Sequence, residues 1–252
     1  QSLLSSSIKL NTFNNNSKYN PFDPIVGFIG AGNYASGTLI PAFKSANVQL
    51  DTLVTSGGVS AFHHGNELGF KLASTELNEL WGNKNINTVL TREPGGCLES
   101  EEIRNILIKG NLDKWDPITE SLLHNAARRE HIMKIIKPAL LENKIVICDR
   151  FVDSTMAYQG IGLGVNSDFL DILSNEITEG IKPNITFIFD MDIKTSLKRA
   201  SIRDNKCQNR YEKFNEEFHK KVRNYFQSLT KIDKRYILID ASKNIEEISS
   251  KV

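Results

Sequence analysis

Two stretches of the chain hold residues whose types and spacing suit phosphate chemistry. In the first, Gly30-Ala31-Gly32-Asn33-Tyr34-Ala35 follows the apolar run Ile25-Val26-Gly27-Phe28-Ile29. Glycine there permits a tight turn and lets backbone N–H groups approach a pyrophosphate, and a small last residue lets the following helix close on its strand. Gly32 and Gly37 also have the Walker A separation, but Thr38 and Leu39 stand where that loop needs a Lys and a Mg²⁺-binding hydroxyl. The loop could still hold a phosphate on helix-terminal N–H groups, without the cation that bridges β- and γ-phosphates. The same glycines therefore read either as a dinucleotide loop or as a decayed triphosphate loop, and the flanking residues favour the first.

The second stretch is built on arginine. Thr91-Arg92-Glu93-Pro94-Gly95-Gly96 leaves one expected strand, and Asp149-Arg150 ends another, Val146-Ile147-Cys148, with Arg104 and Arg128 on expected helices. The carboxyl edge of an open α/β sheet is where ligands bind. Guanidinium groups at two strand ends, backed by two more from helices, would form a bidentate cage for a phosphate.

The elements that must carry these residues alternate. Apolar runs predict strands at 25–30, 48–55, 86–91, 144–149, 184–190 and 236–241. Helical spacing predicts helices at 36–46, 61–69, 75–81, 99–109, 117–142, 152–159, 167–180, 192–203 and 213–231. Strand and helix in alternation imply an α/β fold, a parallel sheet covered by helices on both faces. Phe214, Phe218, Val222 and Phe226 recur at helical spacing as a core stripe. His63-His64 lacks a carboxylate or Cys at metal spacing and reads as a polar helix start, and Cys148 as a small buried hydrophobe.

With 252 residues the chain can form one large α/β domain or two small ones. Every arginine lies at or beyond Arg92, while nine of the 16 glycines precede it, so the chain changes character near residue 90. An Asn/Ser-rich leader over 1–22 is too polar to bury much surface and is read as a disordered tail. Three parts result: the leader, a βαβ segment over 23–89, and a domain over 90–252. Lys+Arg 31 against Asp+Glu 30 give a net charge of +1, which argues against bulk capture of nucleic acid or an anionic membrane. No apolar run reaches the roughly 20 residues that span a bilayer. Cys97, Cys148 and Cys207, odd in number and scattered, suit neither a disulfide framework nor a zinc site and fit a reducing, cytoplasmic setting.

From about Thr88 onward the chain resembles thymidylate kinases. The resemblance rests on Thr91 to Gly96, Glu102-Ile103-Arg104, Trp115 to Arg128, Asp149 to Gly160, Leu197-Lys198-Arg199 and Asn209 to Glu212. It implies a P-loop-kinase-like sheet and transfer of the γ-phosphoryl of ATP, with Mg²⁺, to dTMP, giving dTDP. By the same resemblance Arg92 and Arg150 hold the dTMP phosphate, and Glu93 also belongs to the acceptor site. Arg128 reaches the thymine edge, Ser154, Thr155 and Gln159 surround the base, and Tyr158 guards the sugar. Asp149 orients Mg²⁺ and its waters, Arg203 and Arg210 clamp the transferring phosphoryl from a lid, and Asp240-Ala241-Ser242 forms an adenine-side loop. A homodimer is also implied. His124 stands where the family stacks a Phe on thymine, Cys97 replaces a Thr, and Asn209 replaces an Asp.

Residues 25–89 instead resemble the start of the nucleotide-binding domain of Gfo/Idh/MocA-type oxidoreductases, through Val26 to Ser36, Ser56 to Ser60 and Asn85 to Val89. That resemblance implies NAD(P) near Gly30, Gly32 and Gly37. The acidic ribose ligand it requires would fall on Asp51, which lies mid-strand. The joint expectation is a Rossmann-like βαβ start in place of the kinase's own P-loop. A thymidylate kinase weakened by its missing Walker A Lys is the leading reading; a non-catalytic nucleotide-binding fusion and an oxidoreductase fragment are the alternatives. Since a kinase sheet without its first strand would expose two unpaired edges, Ile25 to Gly30 is expected to pair beside Ile145 to Asp149 as a surrogate central strand.

Overall fold

A strand such as Ile25–Ile29 offers no polar face, so it is stable only with neighbours on both edges and cover on both sides. In a computed structural model it has both. The structure describes residues 7–10, 24–31, 35–46, 48–55, 57–81, 83, 87–203, 210–244, 247–248 and 251. These fall into two compact units interleaved in sequence, residues 1–98 with 130–149, and residues 99–129 with 150–252.

The first unit holds six strands: β1 (Ser7–Lys9), β2 (Ile25–Ile29), β3 (Gln49–Val54), β4 (Leu72–Ser74), β5 (Thr88–Arg92) and β6 (Ile145–Asp149), in the order β1-β4-β3-β2-β5-β6. All pairings are parallel except the antiparallel β1–β4 edge. Phe28 is 1% exposed and meets Phe43 and Phe70 edge-on at 5.7 and 5.5 Å. Val26, Ile40, Leu50, Leu53 and Leu90 complete that core. Asp51 is buried in β3, where its Oδ1 accepts from Asn83 at 2.6 Å and Thr52 at 2.9 Å, with Lys71 at 3.6 Å. It is a structural carboxylate rather than a ribose ligand.

Two expectations are corrected here, and one strand is added. The leader is not wholly a tail, because Ser7–Lys9 pairs with β4 and Leu10 is buried, its N–H donating to the Lys71 carbonyl. Leu72–Ser74, too short to show a period, is a strand. The surrogate central strand does not form: β2 pairs with β3 and with β5, and β6 has β5 on one edge and, among the described residues, no strand on the other. The reason lies in the chain path. Asn87 donates to the Ile25 carbonyl and Ile145 donates to that of Asn87, so β5 lies between β2 and β6 from its start. Ile145 and Ile147 on β6 are 62% and 42% exposed.

The second unit holds β7 (Thr186–Asp190) and β8 (Tyr236–Asp240), a parallel pair, and the helices Leu98–Ile108 (from Glu99), most of Pro117–His131, Ser167–Thr178, Ile193–Arg203 and Glu216–Leu229. The Glu216–Leu229 helix starts where the Asn215 side chain accepts the Phe218 N–H, and it buries Phe218, Val222 and Leu229. Phe214 and Phe226 pack beside them, Phe214 stacked on Phe218 at 4.1 Å, so the sequence stripe is a core face. No helix among the described residues is long and apolar enough to cross a membrane.

Candidate functional site

The residues expected around the base lie in the second unit, several of them on or against one helix. Pro117–His131 begins where Asp116 Oδ1 accepts the N–H groups of Ile118 and Thr119. Residues four apart share a helix face, so Glu120, His124 and Arg128 form one polar stripe. A polar stripe can be buried only if each member is paired. Arg128, 3% exposed, donates to Asn125 Oδ1 at 3.1 Å and to Thr155 Oγ1 at 3.0 Å, its guanidinium 5.6 Å from the Phe151 ring centroid. Glu120 accepts from Gln159 Nε2 and from the Tyr211 hydroxyl, each at 2.7 Å, and forms an ion pair with Arg210. His124 Nε2 lies 2.8 Å from the Tyr211 hydroxyl.

Burial, then the positive charges of Arg128, Arg150 and Arg104, lower the His124 pKa from 6.5 to about 3. The ring is neutral at ordinary pH and offers an uncharged platform, as a stacking aromatic would. An unfolded chain takes up this proton first, so stability is full above 6.5 and is lost as pH falls from there towards 3. His124→Phe should therefore flatten the pH dependence of denaturant midpoints across that window; an unchanged slope would refute the assignment.

Asp149 and Arg150 stand exposed after β6, one ending the first unit and the other opening its neighbour in sequence. Arg150 adopts a left-handed backbone, φ 68°, and its guanidinium lies 5.3 Å from the Tyr158 ring. Tyr158 is partly buried and meets Tyr211 edge-on at 5.7 Å. Ser154 is partly buried on the short helix Val152–Thr155. Thr155 and Gln159, both 2% exposed, spend their polar groups on Arg128 and Glu120 and so hold the site's walls.

Two residues expected to meet ligands are held by protein partners. Arg210 is fully buried, paired with Glu120 and donating to the Leu112 carbonyl at 3.1 Å. Glu93 is 4% exposed and bonded to His131, 3.1 Å from Nδ1, so it faces the interior. Arg203 ends the helix Ile193–Arg203, and its side chain lies outside the described residues, as do Gly32, Asn209 and the Thr38 side chain. Gly37 is exposed. Asp240 Oδ1 accepts from the Ser242 hydroxyl at 2.6 Å and its N–H at 3.0 Å, bonds that lower the Asp240 pKa, while the Ala241 carbonyl accepts from Arg199.

In the first unit, Arg92 ends β5 with Nη1 3.9 Å from where a Gly30 side chain would begin, and Gly30 has φ 90°. Thr91 and Glu93 are each bonded to His131, and all three are buried. Cys148 is only partly buried, not the fully buried hydrophobe expected, and its sulfur lies within 4.8 Å of ligand atoms of Glu93 and His131. His63 and His64 each lie 3.8 Å from Glu67, a carboxylate within one helical turn that the spacing argument overlooked. Sequence reasoning also missed Glu120, Tyr211 and Asp190, the last held by Arg223 through Nε at 2.7 Å and Nη2 at 2.9 Å. The four-residue spacing of Glu120, His124 and Arg128 was the available signal; for Asp190 and Arg223 there was none.

The thymidylate kinase family model matches residues 71–252. The thymidylate kinase of Ehrlichia ruminantium (strain Gardel) is 44% identical over 185 residues, 71% of this chain and 86% of the relative. That of Wolbachia pipientis wMel is 45% identical over 159 residues, 63% of this chain and 76% of the relative. The crystal structure of thymidylate kinase from Ehrlichia chaffeensis superposes with a TM-score of 0.51 at 32% identity, covering 86% of this chain and 92% of that one. A parallel sheet flanked by helices, the arginine-bearing strand ends and matches of this extent lead to one conclusion: the chain belongs to the thymidylate kinase family of phosphotransferases.

Proposed function

We propose that the protein binds dTMP as phosphoryl acceptor, with ATP and Mg²⁺ on the donor side. The observation that carries this reading is the paired, buried Arg128 beside Phe151, with Arg150 over Tyr158, in the unit that holds the Arg150 to Gly160 stretch of the family motif. Arg128, with neutral His124 nearby on the same helix, meets the base; Arg150 meets the phosphate; Arg92 takes the same role by family membership. Asp149, an exposed carboxylate, suits Mg²⁺, which keeps most of its waters and takes one or two carboxylates. The ion would neutralise charge on the transferring group. Leu39 offers it no oxygen. A homodimer and a cytoplasmic setting belong to the same reading.

Phosphoryl transfer depends mainly on positioning and positive charge. With Thr38 at the Walker A Lys position, turnover should fall well below the usual roughly 1 to 100 per second. A coupled ADP-release assay with dTMP measures it, and a rate inside that range would show that the donor loop is not disabled. Calorimetry with dTMP tests binding separately from turnover.

A second reading has its own observation. Counted from β2, the parallel strands run 3-2-1-4-5, and the reversal falls between β2 and β5, where sheets of this order bind dinucleotides. Gly30 and Arg92 end those two strands. NAD(P) binding there would leave dTMP binding by the second unit in place. Heat on titration with NAD(P) supports the reading, and its absence returns the glycines to a packing role.

A further inference from the structure

His131 is buried completely, yet the phosphoryl-transfer reading gives it nothing to do. Its surroundings do. Nε2 lies 2.7 Å from Thr91 Oγ1, and Nδ1 lies 3.1 Å from Glu93 Oε1. Both partners are 4% exposed. One neutral tautomer satisfies all three groups: Nδ1–H donates to the carboxylate, and Nε2 accepts from the threonine hydroxyl.

The two bonded residues flank Arg92. The strand pairing continues past β5, since the Glu93 N–H donates to the Asp149 carbonyl at 2.9 Å. Alternate residues of an extended segment face opposite sides, so Thr91 and Glu93 turn to the imidazole and Arg92 turns away from it. Gly96 returns the loop over the same ring. It has φ 92°, and a Cβ there would lie 2.5 Å from the imidazole Cδ2 and Nε2 and 2.6 Å from Thr91 Oγ1. The segment Thr91–Gly96 is thus gripped at two side chains and pressed by its own backbone against one ring.

We infer that His131 is a positioning residue for phosphoryl-acceptor binding: by clamping Thr91 and Glu93 it fixes the backbone from which Arg92 reaches the acceptor phosphate. The inference rests on the proposed role of Arg92. A ring is needed because donor and acceptor must sit on opposite sides of one rigid group. A glutamine at 131 can reproduce one of the two bonds, and alanine neither.

Calorimetry with dTMP on the full chain, for the parent, Thr91→Val, Thr91→Ser, His131→Gln, Arg92→Ala and the Thr91→Val/Arg92→Ala pair, tests this. Thr91→Val keeps the shape and removes the hydroxyl, leaving buried Nε2 without its partner, and should weaken dTMP about tenfold. Thr91→Ser restores the hydroxyl and should stay within about threefold of the parent. Once Arg92 is gone there is nothing left to position, so the pair should bind no worse than Arg92→Ala alone. If Thr91→Val and His131→Gln bind like the parent while Arg92→Ala binds weakly, the clamp is overturned. If the Arg92→Ala protein binds like the parent, the role of Arg92 itself falls. Amide hydrogen exchange over Arg92–Gly96 gives a readout that does not depend on ligand: faster exchange in Thr91→Val, with β6 unchanged, supports the clamp, and equal exchange rejects it.

Discussion

Replacing Glu120 with alanine is expected to lower stability by about 3–5 kcal/mol, because it leaves the Arg210 guanidinium buried without its counter-charge. Such a loss approaches the whole stability of many domains. Glu120 is 1% exposed and receives Gln159, Tyr211 and Arg210 together, so no water can stand in for it without repacking. Glu120→Gln should cost less, since it keeps the shape and one acceptor. Glu120→Leu with Arg210→Met should come closest to the parent, because both charges leave together. Urea denaturation followed by a tyrosine or far-ultraviolet signal gives the ranking. A single Glu120→Ala variant within about 1 kcal/mol of the parent would show that Arg210 finds another partner or solvent.

The second large effect is on binding. Arg150→Ala should weaken dTMP about a hundredfold, through loss of a charge-assisted contact to phosphate. It should also erase the preference for dTMP over its ribose analogue, because Tyr158 then loses the guanidinium 5.3 Å from its ring. The fold should survive, since Arg150 is exposed. Equal affinity of the parent for dTMP, dCMP and the ribose analogue would remove the acceptor-site reading at once.

Much of this was legible in the residues. Element type followed from period: Phe214, Phe218, Val222 and Phe226 marked a buried helix face, and Ile25–Ile29, apolar on both sides, marked an internal strand. Position in the sheet was not legible, because a strand that needs two neighbours does not state which two. The second edge of β2 went to β5, with Asn87 bonded to both Ile25 and Ile145 at the strand starts. The change of composition near residue 90 likewise failed to mark the structural boundary. β5 and β6 are arginine-side strands, yet they fold into the unit that begins with the glycine-rich segment, and residues 130–149 return to it after an excursion. At the site, arginine types and strand ends could be read, whereas the burial of Glu93 and Arg210 could not. Both are charged, and charge alone predicts exposure unless the partner, here His131 or Glu120, is known to be near.

The left-handed backbone of Arg150 sets the protein's stability against its ligand. A side chain held at φ 68° costs roughly 1 kcal/mol or more, a strain that glycine would not carry. Selection for thermal resistance alone would accordingly favour Arg150→Gly and remove the proposed phosphate contact in the same step. A stabilised variant of this enzyme family member should be built elsewhere, with residue 150 left as it is.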